Sequence, residues 1–276
     1  SGVMPLWPML FVTIACGAIS GWHALFGAVG TARQVENEAD MLPVGGGSMF
    51  TEFLLGLLAL LAVSVGAKGA PVAAFATGLG GFISVWGVPI QYATSLAFAA
   101  FIVIVLVVTQ LIFRVMRVTL TEWLGDVVPV FRSQHVSSII SVALALLLVM
   151  TGTWIYLWQL FGGANQLMAA LSLLLVTVWL ASVGKNWLYA GIPMIFMYIT
   201  TMAANLVTAY NIYSNVFLTN LGVPGRTLPI IGSGLMVLVA LLLVIAAFFI
   251  GVDGWKAFNR YLRRPAAAPG PAPVRG

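Results

Sequence analysis

Apolar residues run through this 276-residue chain in long blocks, separated by short polar or glycine-rich stretches. Seven blocks approach the roughly 20 residues that a helix needs to cross a hydrocarbon core. They cover residues 5–29, 48–66, 89–113, 137–160, 163–183, 188–210 and 229–251. The pattern predicts an all-α, polytopic transmembrane helical bundle of about seven spans. The first block carries its own interruption. Ala15-Cys16-Gly17-Ala18-Ile19-Ser20-Gly21-Trp22-His23 stands in its middle, and two glycines and a serine weaken the backbone ladder there. Broken backbone survives in hydrocarbon only where protein buries it or where it lines a cavity. Transporters use such discontinuous helices to aim free backbone groups at a substrate or ion. Close helix packing is the competing explanation, because glycine and serine also let helices approach.

Two further stretches break the pattern. Pro71 to Val88 holds Gly78, Gly80, Gly81 and Gly87, with Pro89 next in line. It predicts a re-entrant or extracellular capping hairpin rather than an eighth span. Val118 to Phe131 (VTLTEWLGDVVPVF) predicts a short interfacial amphipathic helix interrupted by Gly125 and Pro129.

Composition agrees with a membrane protein. Hydrophobic residues make up 61% and charged residues 7%, with mean hydropathy +1.07. A soluble domain carries about 25% charged residues, so no water-facing surface and no soluble domain can be built. Cys16 is the single cysteine, which excludes an internal disulfide. The pI near 9.7 does not indicate nucleic acid, because the positive charges sit in loops and tail. The first block lacks a basic leader, and the chain starts at Ser1 rather than Met. A fragment whose N-terminal half is missing is the expectation.

Alternating the seven spans across the bilayer sorts the charges. One face receives Arg33, Arg114, Arg117, Arg132, Lys185, Lys256, Arg260, Arg263, Arg264 and Arg275; the other receives Lys68 and Arg226. Positive charge marks the cytoplasmic face, so residue 1 is expected outside and the C-terminus inside. Residues 1–254 then form the transmembrane domain. Residues 255–276 form a basic, Pro/Ala-rich disordered tail, with Lys256, Arg260, Arg263 and Arg264 at the anionic headgroups.

Few polar residues lie within the spans, and such groups are functional candidates. Cys16, Gly17, Ser20, Gly21 and His23 belong to the broken stretch. His23 is either a structural hydrogen-bonding group or, if it titrates, a coupling site near neutral pH. Asn165 and Gln166, at the expected extracellular end of the fifth span, bind a carboxylate or peptide group or cross-link helices. Glu52 is a proton or cation site, or a residue snorkelling to the headgroups. Gln110 sits late in the third span. Arg114 and Arg117, three apart on one helix face, close a cytoplasmic gate against Glu36, Glu38 and Asp40, or merely anchor the helix end. Gly45-Gly46-Gly47 lacks a following Gly-Lys-Ser/Thr, so it is no P-loop. No nucleophile–base set and no metal cage is legible, so neither an enzyme nor a cofactor is expected.

Several of these stretches together resemble the carbon starvation protein A family. They are PLWPMLFVTIACGAISGWHALF (Pro5 to Phe26), Glu38 to Asp40 leading into GSMFTE (Gly47 to Glu52), Arg114, Arg117, Leu120 and Glu122, and FGGANQLMAALSLLLVTVWL (Phe161 to Leu180). The chain departs at Gln110, where that family usually carries an aspartate. The resemblance implies the C-terminal portion of a bacterial inner-membrane secondary transporter for peptides or small carboxylates such as pyruvate. It implies a link to carbon starvation, a bilayer and a small-molecule substrate as partners, and a coupling proton or sodium. By analogy it implies the second half of a leucine-transporter-type fold of the amino acid–polyamine–cation superfamily. A non-transporting nutrient sensor or assembly subunit is the rival reading.

The charge asymmetry is directly testable. In a Cys16-free variant, cysteines placed at Lys68 and Lys256 should label from opposite sides of the membrane. Label reaching position 256 from outside would overturn the orientation.

Overall fold

The computed structural model describes residues 6–12, 19–65, 71–152 and 154–263. All regular structure among them is helical. After a short segment over 6–12 that is kinked at the extended Trp7 (φ −115°, ψ 136°), the main helices are α1 (Gly21–Val29), α2 (Gly47–Ser64), α3 (Pro71–Ser84), α4 (Ile90–Leu124), α5 (Gln134–Met150), α6 (Trp154–Ser182), α7 (Leu188–Ile212) and α8 (Thr227–Arg263). Five helical stretches among the described residues are long and apolar enough to cross a membrane: Glu38–Ser64, Ile90–Leu124, Leu160–Ser182, Leu188–Asn220 and Thr227–Arg263. The 17-residue α5, expected as a span, is one of the shorter apolar helices, and residues 13–18 of the expected 5–29 span lie outside the described residues.

The chain forms two compact units, Ser1–Leu25 with Leu146–Gly276, and Phe26–Ala145. In the first unit α6 packs along α7, and α8 packs against both. Leu160, Ala209, Ile212, Met236 and Ala240 form one buried cluster; Ala170 and Met197 form another, covered by Leu173 and Tyr198. Small residues let these helices close up. A Cβ on Gly254 would lie 2.6 Å from Leu174 Cδ2, and one on Gly251 would collide with the Tyr198 hydroxyl. That hydroxyl donates to the Ala247 carbonyl at 2.7 Å, tying α7 to α8. In the second unit α3 packs between α2 and α4.

Four expectations change. Residues 71–84 are one continuous helix, not a hairpin. Its glycines serve packing: a Cβ on Gly78 would collide with the Ala62 carbonyl and lie 2.8 Å from Ala62 Cα, and one on Gly80 would lie 2.5 Å from Thr94 Oγ1. Residues 118–124 continue α4 instead of forming a separate helix, and the chain turns only after Leu124. There Arg132 Nε donates to the Gly125 carbonyl at 3.0 Å and Thr121 Oγ1 donates to Phe131 O at 3.0 Å. The break between the fourth and fifth spans falls at Thr151-Gly152, not at residues 161–162. Gly152 supplies the left-handed turn with φ +71°. At the C-terminal end, α8 runs to Arg263, so residues 255–263 of the expected tail are helical. Phe258 is buried there, its ring 4.8 Å edge-on from that of Trp187. Residues 264–276 lie outside the described residues.

The glycine contacts predict a contrast. Gly78→Ala should destabilise the protein by about 1–3 kcal/mol, the usual cost of overpacking. Gly56→Ala, which meets nothing within 4 Å, should not. Denaturant titration of the purified protein measures both, and equal effects would refute the packing role.

Candidate functional site

The chain restarts as helix at Gly21, and the two residues before it, Ile19 and Ser20, are non-helical. Non-helical backbone was expected somewhere in Cys16 to Gly21, and these residues supply it. Cys16 and Gly17 themselves lie outside the described residues. A helix start leaves its first backbone N–H groups without intrahelical partners. In a soluble helix a neighbouring serine or asparagine caps them from within the chain. Here the cap comes from another helix. The Trp22 N–H donates to Asn165 Oδ1 at 3.1 Å, and the Ser20 hydroxyl donates to the same oxygen at 3.3 Å.

The glycine at position 21 makes this possible. A Cβ on Gly21 would collide with the Asn165 carbonyl oxygen and lie 2.7 Å from Ala169 N. Only glycine lets the α1 start rest on the α6 backbone. One turn back, Gly162 packs near Val12 of the 6–12 segment, where a Cβ would make an ordinary contact at 3.5 Å. The same short segment is tied to α7: Trp7 Nε1 donates to Thr200 Oγ1 at 3.1 Å, and the Thr208 hydroxyl contacts Met9 Sδ at 3.7 Å.

Asn165 and Gln166 lie within the first two turns of the Leu160–Ser182 span, yet well inside helix α6. With α6 starting at Trp154, Asn165 stands about 16 Å into the helix at 1.5 Å per residue. Asn165 is 2% exposed and Gln166 0%. Gln166 uses neither polar atom: Oε1 and Nε2 are buried without a hydrogen-bond partner among the described residues. Asn205 of α7, also 0% exposed, donates Nδ2 to the Thr201 carbonyl at 2.8 Å and leaves Oδ1 without a partner. Each buried, unmet polar group costs about 1–3 kcal/mol, so three together are an expensive feature to keep in an apolar bundle.

Asn205 was not singled out from sequence, nor were Thr200, Thr201 and Thr208. The signal was present: they recur at three- to four-residue spacing in an otherwise apolar helix, which places them on one stripe of α7. All four are buried.

His23 lies one position past the capped N–H and is exposed. The remaining predicted residues belong to the second unit. Glu52 is exposed on α2 and Gln110 is exposed on α4. Arg114 is exposed and Arg117 half-buried, while Glu38 and Asp40 are exposed. A shallow depression of about 450 Å³ lies beside Glu36, Asp40, Gln34 and Thr31. The ion pairs among the described residues are Arg132–Asp126 at 3.1 Å and Lys256–Asp253 at 3.2 Å; neither involves Arg114, Arg117, Glu38 or Asp40. The described residues hold no group of three or more His, Cys, Asp and Glu able to bind a metal.

Comparison with known proteins bears on this arrangement. A family model described as carbon starvation protein CstA matches residues 2–68 and 63–204. The Bacillus subtilis protein named peptide transporter CstA is 26% identical over 315 aligned residues, covering 96% of this chain and 52% of the relative. The Campylobacter jejuni protein of the same name is 26% identical over 266 residues, covering 71% and 38%. The Escherichia coli pyruvate/proton symporter BtsT is 44% identical over 69 residues, covering 23% and 10%. The chain thus spans about half the length, or less, of these curated relatives. No solved structure matches.

The cross-helix cap predicts that Asn165→Ala lowers stability by about 0.5–2 kcal/mol, the range for losing a helix cap. Amide hydrogen exchange at Trp22 should accelerate in the same variant. Unchanged exchange there would show that Asn165 does not hold the α1 start.

Proposed function

This chain belongs to the carbon starvation protein CstA family, and we propose that it is part of a secondary transporter carrying peptides or small carboxylates such as pyruvate across the bacterial inner membrane, with its C-terminus in the cytoplasm. The observation that carries this reading is the interrupted helix whose restart is held by a side chain from another span. A capped helix start directs N–H groups and the positive end of the helix dipole at one point in a low-dielectric interior. That is the ordinary way to hold the carboxylate of a substrate. Ser20, Gly21, His23, Asn165 and Gln166 form the proposed binding region, with Cys16 and Gly17 joining it from the sequence. In the uncapped state of Trp22 a substrate carboxylate would take the place of Asn165 Oδ1.

The other proposed roles belong to the second unit. Glu52 and Gln110 are the candidates for coupling transport to a proton or sodium ion. Arg114 and Arg117, together with Glu38 and Asp40, are the candidates for a cytoplasmic gate that pairs in one state of the cycle. The names of the relatives support transport, and the fold as the second half of a leucine-transporter-type bundle remains our reading by analogy. A nutrient sensor or assembly subunit would bind without moving its ligand.

Uptake into proteoliposomes separates these readings. The complete protein should accumulate a labelled dipeptide or pyruvate; binding without accumulation would favour the sensor. In the same assay Arg114→Glu should reduce uptake, and adding Glu38→Arg or Asp40→Arg should partly restore it. If no double reversal restores uptake, the arginines only anchor the helix end.

A further inference from the structure

The unmet amides of α6 and α7 share one interface. Gly163 faces Asn205, because a Cβ there would lie 2.6 Å from Asn205 Oδ1. Two turns on, Ala170 packs with Met197. The two helices therefore run antiparallel, and 163 and 170 mark their shared face. Gln166 is three residues after Gly163 and four before Ala170, so it lies on that same face. The register sets it opposite the Thr201 turn, one helical turn from Asn205.

The free hydrogen-bonding capacity at this place can be counted. Asn205 Nδ2 is committed to the Thr201 carbonyl, and Thr201 Oγ1 donates to the Met197 carbonyl at 2.8 Å. What remains is two carbonyl oxygens, Gln166 Oε1 and Asn205 Oδ1, the Gln166 NH₂ group and the second N–H of Asn205 Nδ2. Neither α6 nor α7 carries a charged residue. A bare carboxylate could accept from the N–H groups but has no donor for the two carbonyl oxygens, which would stay unmet beside its charge with no countercharge on either helix. A peptide group fits: its N–H donates to one carbonyl oxygen, its C=O accepts from the NH₂ group, and a second N–H reaches the other carbonyl oxygen.

We propose that Gln166 and Asn205 form a subsite, closed in this structure, that reads the uncharged peptide group of the substrate and so favours a peptide over a simple carboxylate. This rests on the transporter reading and assigns Asn205 a role beside Gln166. The contrast with Asn165 is chemical. Asn165 spends its oxygen on the α1 start, whereas the Gln166–Asn205 pair keeps its capacity for a ligand. A site built to hydrogen-bond a substrate group rejects an analogue lacking it far more strongly than an apolar pocket can.

Ligand-induced thermal stabilisation of the complete, purified protein tests this without requiring transport, using Ala-Ala and pyruvate as probes. Gln166→Met keeps the side-chain volume and removes both polar atoms. It should weaken Ala-Ala binding about tenfold or more beyond any change in pyruvate binding, and leave the ligand-free melting temperature unchanged or higher. Asn205→Ala should weaken Ala-Ala binding in the same selective way. Unaltered Ala-Ala binding in Gln166→Met would overturn the subsite and show that the amides meet only water or each other. Equal loss of both ligands, or a wild-type protein stabilised by pyruvate alone, would also overturn it. A wild-type protein stabilised by neither probe would instead remove the transporter reading on which the subsite stands.

Discussion

A single carboxamide oxygen, Asn165 Oδ1, holds the start of a helix that the sequence interrupts. The constraint behind it is general. A backbone N–H inside an apolar bundle has no water to turn to and must find a partner within the protein. Once the chain breaks before Gly21, the first N–H groups of α1 need an acceptor from elsewhere, and α6 supplies it. The close approach of α1 to the α6 backbone, the glycine at position 21 and the burial of Asn165 all follow from that demand.

Glycine serves two different purposes here. At Gly152 it permits a left-handed turn between α5 and α6. At Gly21, Gly78, Gly80, Gly163 and Gly251 it is a missing side chain that lets a neighbouring helix or polar group come near. In a membrane, helix association gains little from the hydrophobic effect, so packing and short polar contacts carry it. Gly163 illustrates the link to function. Its bare Cα is what lets the Asn205 carboxamide lie against α6 on the face that also carries Gln166.

The two units differ in how they use apolar surface. In the first, 44% of an apolar 18-residue stretch within Leu160–Ser182 is buried, 39% of one within Leu188–Asn220 and 17% of one within Thr227–Arg263. In the second, only 6% of the corresponding stretch within Glu38–Ser64 and within Ile90–Leu124 is buried. The polar residues follow that division. The first unit hides amides and hydroxyls between its helices, whereas Glu52, Gln110, Arg114, Glu38 and Asp40 are exposed on the second. Binding chemistry is thus proposed for the buried polar stripe, and coupling and gating for the exposed groups.

The sequence alone determined the class of protein, because long uncharged blocks leave a polypeptide no stable state except helix in lipid. It also marked the interruption before Gly21 and the Asn165-Gln166 pair, since polar and helix-weakening residues stand out against an apolar background. Tertiary structure decided what those residues do. Periodicity could not tell that Gly162 and Gly163 lie within a helix while Gly152 ends one, because a glycine reads alike as a turn or as a contact. Nor could it tell that Asn165 faces α1 while Gln166, rotated about 100° around the same helix, faces α7. Asn205 was hidden in an apolar run until the register of α6 against α7 set it over Gly163. Which polar atoms are met and which are left open depends on the neighbouring helix, and no single span carries that information.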